Sequence, residues 1–222
     1  VTEPSSDPWV DREPEKDEQP EQGQFYARND RNEGTLYYNG KLGEPADAVF
    51  LNVFADDRPF KTETKSVGAD QRYAFTVKLQ PGLIKYRVEF GVRNGGKEQV
   101  LQRVGDLVCG DAYLIDGQSN ALATDTGEDS PREASEWIRS YGRPTGNASD
   151  ASANLWCYPV WKARKDDKAE LGWWGMELAK RLLESQKMPI FLINAAVGHD
   201  LPSRRWIPGY NPVYNFRPHA PR

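Results

Sequence analysis

Residues 104–121 read VGDLVCGDAYLIDGQSNA, and this stretch decides how the chain is divided. An apolar run that ends at Ala112–Ile115 leads directly into a turn made of Gly117, Gln118, Ser119, Asn120 and Ala121. A continuous rather than alternating apolar run is typical of a strand covered on both faces in a parallel sheet. The stretch therefore predicts a buried strand that ends on a serine held between two small residues.

The sequence downstream completes an α/β pattern. Residues 171–187, LGWWGMELAKRLLESQK, have apolar residues three or four positions apart, which predicts a helix with a stripe of Leu171, Trp174, Leu178 and Leu182. Residues 188–198, MPIFLINAAVG, follow at once as a second buried strand. Strand, loop, helix and strand with short connections are typical of a doubly wound α/β domain.

The sequence upstream, from about Phe25 to Val104, has a period of two. Residues 72–79, RYAFTVKL, and residues 83–93, LIKYRVEFGVR, alternate apolar with polar side chains, as strands with one buried face do. Turn signals, QPGL at 80–83 and RNGG at 93–96, separate such segments. Short alternating strands at regular spacing predict an antiparallel β-sandwich of immunoglobulin-like type.

Three segments follow from these patterns. Residues 1–23 are rich in Pro, Glu, Asp and Gln, and the first 22 residues hold eight acidic groups against Arg12 and Lys16. This composition predicts a disordered acidic tail or linker, although a functional acidic tail stays open. Residues 24–105 are predicted to form the β-sandwich, and residues 106–222 the α/β part.

Composition excludes several classes of partner. The net charge is −4, and no concentrated basic stripe occurs, so we expect no nucleic-acid partner. No apolar run approaches the roughly 18 residues of a membrane span, and no leader is visible, so a secretion signal is absent or already removed. Cys109 and Cys157 lack metal-ligand spacing and are either one disulfide or two thiols. No metal or cofactor is implied.

The serine turn carries the chemistry. Ligands collect at the carboxyl ends of strands in α/β sheets, and Ser119 lies at such an end. Small neighbours at Gly117 and Ala121 allow a sharp turn that exposes the hydroxyl and aims a backbone N–H at a developing oxyanion. An ordinary hydrogen-bonded turn is the alternative. A classical α/β-hydrolase elbow also fits, but it follows several strands of its own sheet, whereas Ser119 follows the first.

Two blocks together carry a family resemblance. VGDLVCGDAYLIDGQSNA, followed by WWGMELAKRLLESQKMPIFLINAAVGHD, resembles the sialate O-acetylesterase-like branch of the SGNH hydrolases over roughly residues 105–206. The resemblance implies a flavodoxin-like doubly wound parallel sheet, which in many members follows a β-sandwich. It implies that Ser119 is the nucleophile and that the N–H groups of Ser119 and Gly198 form the oxyanion hole. The implied activity is hydrolysis of acetyl esters on carbohydrates, in the periplasm or outside the cell.

The chain departs from this pattern at the catalytic base. The family has Asp-x-x-His near the end of the domain, but the residues three before His199 and His219 are Ala196 and Phe216. We expect His199 to contact substrate or serve structure, and His219 to lie at the surface. The α/β part also has fewer predicted strands than the usual five or so. We therefore expect an incomplete sheet and a companion C-terminal fragment that carries the base.

Several further residues are candidate substrate contacts, namely Gln118, Asn120, His199, Arg204 and Trp206. Trp206 could stack on a sugar ring, although core packing is the commoner role of tryptophan. Arg204 could pair with a carboxylate such as that of sialic acid. The competing interpretation is a carbohydrate-binding or scaffolding protein that keeps the fold without the chemistry.

Overall fold

The structure is a computed structural model that describes residues 14, 16–117, 119–123, 134–142, 155–161 and 171–196. Contacts within the chain divide it into two compact units, Val1–Gly110 and Asp111–Arg222. The described residues are mostly β-strand with one α-helix, and their strands pair both in parallel and antiparallel. The fold is therefore α/β with mixed sheet pairing.

Unit 1 is built from strands in two sheets. Strands β4, β3, β6 and β7 lie side by side with antiparallel pairing, and β1 pairs with β7 in parallel, while β2 and β5 form a separate antiparallel pair. The strands are β1 (Phe25–Ala27), β2 (Gly34–Lys41), β3 (Ala48–Ala55), β4 (Arg58–Ser66), β5 (Arg72–Leu79), β6 (Gly82–Asn94) and β7 (Lys97–Ile115), of which the last runs on into unit 2.

One hydrophobic core joins the two sheets of unit 1. In β5 every second residue is buried, as the alternation predicted, and its partners come from β2, β3, β6 and β7. The rings of Tyr38 and Phe90 stack at the centre with centroids 4.6 Å apart. The predicted RNGG turn is present, because Gly95 and Gly96, with φ +55° and +81°, connect the paired residues Asn94 and Lys97. At QPGL the chain instead passes from β5 in one sheet to β6 in the other. The period of two thus located β5 and β6, and the RNGG signal located the turn between β6 and β7.

From Lys16 onward, the acidic segment is hydrogen-bonded to the rest of unit 1. Glu18 and Asn39 bond through their backbones, and Asp17 forms an ion pair with Arg72. The Gly23 N–H donates to the Gly105 carbonyl at 3.1 Å. Residues 16–23 belong to the predicted tail, but they make individual hydrogen bonds that average composition does not reveal. Residues 1–13 lie outside the described residues.

Unit 2 contains a small sheet with one helix. The end of β7, from Asp111 on, pairs in parallel with β10 (Ile190–Asn194), which pairs in parallel with β8 (Ile138–Gly142). β9 (Leu155–Cys157) pairs antiparallel with β8. The helix α1 (Trp173–Gln186) packs against the sheet. The two predicted strands and the predicted helix are present, whereas β8 and β9 have no counterpart among the predicted elements. The prediction that the strand at Ala112–Ile115 is covered on both faces is wrong, because Ala112 is exposed and Leu114 is 51% exposed.

The face of α1 that meets the sheet differs from the predicted stripe. Leu178 is 36% exposed, whereas the buried residues of the helix are Gly175, Met176 and Ala179. A Cβ on Gly175 would lie 3.2 Å from Ile115 Cδ1, so the helix approaches β7 closely at this point. Of the predicted stripe, Leu171 belongs to the core of unit 2 and Trp174 and Leu182 pack against it, so the prediction is wrong only at Leu178.

The two cysteines are thiols and no disulfide joins them. Cys109 in unit 1 lies 3.8 Å from the Leu79 carbonyl oxygen, and Cys157 in unit 2 lies 3.5 Å from that of Ser140. This resolves the choice that spacing left open. No helix in the described part of the chain has the length and apolar character needed to cross a membrane.

Alkaline pH should destabilise unit 1 through Tyr86. Burial raises the pKa of Tyr86 from 10.0 to about 12, and its hydroxyl donates to the Gln80 carbonyl and accepts from the Gln80 N–H. The unfolded chain releases this proton near pH 10 while the folded chain keeps it. The contribution to stability is therefore fully present below pH 10 and is lost as the pH rises to about 12.

Tyr86→Phe should lower the free energy of unfolding by about 1 kcal/mol at neutral pH, because the hydrogen bonds with Gln80 are lost. The variant should also make the fall in stability between pH 10 and 12 shallower, while Tyr38 and Tyr73, whose pKa values are likewise raised by burial, keep part of it. Urea unfolding at stepped pH measures both effects. An alkaline slope equal to that of the wild type would contradict the assignment to Tyr86.

Candidate functional site

The carboxyl ends of β7 and β10 lie side by side. Asn194, the last residue of β10, is the register partner of Ile115, the last residue of β7. The Ala195 N–H continues this pairing by donating to the Ile115 carbonyl at 2.9 Å. Parallel strands that end at the same level bring the segments that follow them together, which is where α/β sheets bind ligands. The segments that directly follow β7 and β10 are therefore the candidate site.

The segment after β7 turns sharply at Gly117. This residue has φ +147°, and a Cβ built on it would lie 2.8 Å from the Cβ of Ala121. A single-turn 3-10 helix, Ser119–Leu122, begins two residues later. The two small residues that flank Ser119 therefore touch each other across the turn. This contact gives the physical reason for the pattern of small residues around the serine.

Hydrogen-bond donors on α1 and β10 hold three backbone carbonyl groups in and beside the serine turn. The indole Nε1 of Trp174 donates to the Asn120 carbonyl at 2.9 Å, and the Trp173 N–H donates to the Ala123 carbonyl at 2.6 Å. The side-chain amide of Asn194 donates to the Ala121 carbonyl at 3.0 Å. Three donors from outside the turn thus hold its backbone, so its conformation depends on helix and strand as well as on its own sequence.

Asn194 is a site residue that the sequence analysis missed. Its amide nitrogen donates to Ala121 and, at 3.1 Å, to the Leu171 carbonyl, while its Oδ1 accepts from the Ala196 N–H at 3.0 Å. The signal in the sequence was a polar residue at the end of the apolar run IFLIN. This asparagine comes directly before the segment that is predicted to carry the oxyanion donor Gly198.

Tryptophan side chains around the site pack against the core of unit 2. Trp161 and Trp174 lie against the cluster that includes Met176 and Leu192. The ring of Trp156 lies 5.6 Å from that of Phe191. These indoles act in packing and, for Trp174, in holding the turn.

The structure describes only some of the predicted site residues. Ser119 and Asn120 lie in the 3-10 helix at the end of β7, and Asn120 is exposed. Gln118, Gly198, His199, Arg204 and Trp206 lie outside the described residues. The described ranges contain no histidine, and they contain no group of three or more His, Cys, Asp or Glu side chains that could hold a metal ion.

The solved structures that resemble this chain include a carbohydrate esterase. No family model matches the chain, and no curated protein matches it. The crystal structure of a carbohydrate acetylesterase from Xanthomonas citri is 20% identical with a TM-score of 0.45, and the match covers 80% of this chain. The match covers 39% of that protein, so the chain corresponds to about two fifths of its length. A likeness at this level does not transfer an activity.

Replacing Gly117 should destabilise unit 2 for two separable reasons. Gly82 has the same φ of +147°, but its nearest neighbouring atom would lie 3.7 Å from a new Cβ. Gly82→Ala therefore measures backbone strain alone, which we expect to cost about 1–3 kcal/mol. Gly117→Ala adds the contact with Ala121 and should cost about 1–3 kcal/mol more.

Urea unfolding of both variants measures the difference. The double variant Gly117→Ala/Ala121→Gly removes the added contact and should recover the extra loss while keeping the strain. Equal losses for Gly117→Ala and Gly82→Ala would show that the close approach to Ala121 has no energetic weight.

Proposed function

We propose that this chain contributes the nucleophile of a serine-dependent carbohydrate O-acetylesterase of the sialate O-acetylesterase-like SGNH type. One observation carries the proposal. Ser119 begins a short helix directly beyond the carboxyl end of β7, in a turn whose backbone is held from α1 and β10. A rigidly supported backbone at the end of a parallel strand is what a nucleophilic serine requires.

The register of β7 and β10 supports the proposed oxyanion hole. Ser119 follows Ile115 by four residues, and Gly198 follows the paired Asn194 by the same number. Two segments of equal length that start side by side can bring their N–H groups to one oxyanion. The proposed donors are the N–H groups of Ser119 and Gly198.

The proposed reaction has two steps. The Ser119 oxygen attacks the acetyl carbonyl carbon while its proton passes to a general base, and the oxyanion accepts hydrogen bonds from the two N–H groups. The bond to the sugar oxygen then breaks, and that oxygen takes the proton from the base. Water attacks the acetyl-enzyme with the same base accepting its proton, and acetate leaves as Ser119 is protonated again. The proposed chemistry uses no cofactor.

The proposed reaction needs a general base for the Ser119 hydroxyl. Serine needs a base within hydrogen-bond reach, itself oriented by a third group. Neither His199 nor His219 has an aspartate three residues before it. We propose that an Asp-x-x-His block on a companion C-terminal segment carries the base. Mass analysis of an active preparation tests this, because an active sample with no further polypeptide would exclude it.

The finer features of the fold belong to the same proposal. The parallel order β7, β10, β8 with α1 on the sheet is compatible with part of a doubly wound sheet of SGNH type. The two sheets of unit 1, which are antiparallel except for the parallel pair β1 and β7, are compatible with an immunoglobulin-like accessory domain. Gln118, Asn120, His199, Arg204 and Trp206 are the proposed substrate contacts. The proposed location is the periplasm or the extracellular space.

Ser119→Ala tests the proposed function. Loss of a nucleophile should lower kcat/KM for an activated acetyl ester by about 10³-fold or more. Ser185→Ala is the matched control, because Ser185 is an exposed serine on α1 that bonds only its own helix at the Leu182 carbonyl. The control should retain wild-type activity. Equal rates for Ser119→Ala and the wild type would favour the non-catalytic carbohydrate-binding protein instead.

The substrate class is tested with two natural esters. Acetate release from O-acetylated sialic acid and from an O-acetylated neutral sugar should both depend on Ser119. A clear preference for the sialic acid ester would support the sialate-type assignment. A preference for the neutral sugar would keep the esterase and exclude that assignment.

A further inference from the structure

Both polar atoms of the Asn194 side chain form hydrogen bonds with backbone atoms. Its Nδ2 donates to the carbonyls of Ala121 and Leu171, and its Oδ1 accepts from the Ala196 N–H. The first two partners lie 73 and 23 residues away in the sequence, so the bonds join distant segments. Asn194 is the last residue of β10, and its side chain therefore ties this strand to two segments that are remote in the sequence.

Only a short carboxamide satisfies these three partners. Two carbonyl oxygens require two donors, and one N–H requires an acceptor, which the asparagine side chain supplies together. Aspartate would place a carboxylate oxygen against two carbonyl oxygens. Leucine has similar size but leaves half-buried polar groups without partners, which costs more than the net worth of the bonds. Residue identity at this position is therefore chemically specified.

Each partner belongs to a segment that bears on the serine. Ala121 lies in the 3-10 helix that begins at Ser119. Leu171 lies directly before α1, whose first residues hold the carbonyls of Asn120 and Ala123. Ala196 lies two residues before Gly198 on the segment that follows β10. Asn194 is thus bonded to the nucleophile turn, to the entrance of the helix that supports this turn, and to the start of the oxyanion segment.

We propose that Asn194 is a positioning residue that sets the Ser119 turn relative to the segment leading to Gly198. The inference rests on the proposed function and extends it to the residue that fixes the geometry of the site. Asn194 contacts neither substrate nor reacting atoms in this role. It acts through the backbone, by fixing the Ser119 turn against the residues before α1 and the end of β10.

The expected size of the effect follows from the sensitivity of attack geometry. A displacement of about 1 Å in a reacting group can lower the rate by about 10²-fold. We expect Asn194→Leu to lower kcat by about 10- to 100-fold, with KM within about twofold of the wild type, because transition-state geometry is lost while ground-state binding is kept. Asn194→Asp should lower kcat at least as much, since its carboxylate opposes two carbonyls.

Asn39→Leu in unit 1 is the matched control. Asn39 also links backbone segments through its side chain, donating to the Lys16 carbonyl and accepting from the Glu18 N–H. Its replacement should lower stability without changing kcat. Thermal unfolding of all variants confirms that each is folded at the assay temperature, so a lower kcat reports geometry and not loss of folded protein.

Hydrogen exchange of the Ala196 amide gives a readout that is independent of activity. Asn194→Leu removes the acceptor of this N–H and should speed its exchange, whereas Asn194→Asp keeps an acceptor oxygen and should leave it protected. A lowered kcat in both variants, together with this difference in exchange, supports the positioning role.

Two results would overturn the inference, and a third separates it from the proposed function. Unchanged kcat in Asn194→Leu would overturn it, and so would a loss equal to that of Asn39→Leu. Ser119→Ala, measured in the same assay, reports on the proposed function alone. If Ser119→Ala loses activity and Asn194→Leu does not, the esterase proposal stands and the role of Asn194 is rejected; if Ser119→Ala stays active, both are rejected.

Discussion

The register between β7 and β10 is the constraint on which the arrangement of the site depends. Ile115 and Asn194 are partners, and the Ala195 N–H extends the pairing by one bond. Because side chains alternate between the two faces of a sheet, a slip of one residue would turn Asn194 to the opposite face and break its bonds to Ala121 and Leu171. The serine turn, the helix entrance and the segment after β10 are therefore linked through one strand pairing.

Small residues make the close approaches that this linkage needs. Gly117 and Ala121 touch across the serine turn, and Gly175 lets α1 approach Ile115 on β7. Trp174 then reaches the Asn120 carbonyl from the first turn of α1. Within the first turn of α1, Gly175 therefore allows the close approach to the strand, and the neighbouring Trp174 supplies the hydrogen bond to the serine turn.

Prediction from sequence succeeded where the signal was periodic and failed where it depended on distant partners. Alternation found β5, and a continuous apolar run found β10, since both patterns are local. β8 was missed because its sequence, IRSYG, is short and polar, yet Arg139 is only 1% exposed. Its guanidinium donates to the Glu136 carbonyl and lies 4.3 Å from the Tyr158 ring centre. Burying a polar side chain costs little free energy when it has hydrogen-bond partners of this kind. The sequence of the strand does not show which residues those partners will be.

The sequence by itself determined the alternating strands β5 and β6 of unit 1, a strand that leads into a serine turn flanked by small residues, and the order of strand, helix and strand in unit 2. Only the tertiary structure decided which groups hold the serine turn, since the donors from Trp174 and Asn194 lie 54 and 73 residues away from their acceptors. It also decided that Gly175, Met176 and Ala179 are the buried residues of α1, whereas Leu178 is exposed. The physical reason is that periodicity reports the environment of a segment averaged over its faces, whereas a hydrogen bond needs one donor and one acceptor within about 3 Å, a distance that only folding sets.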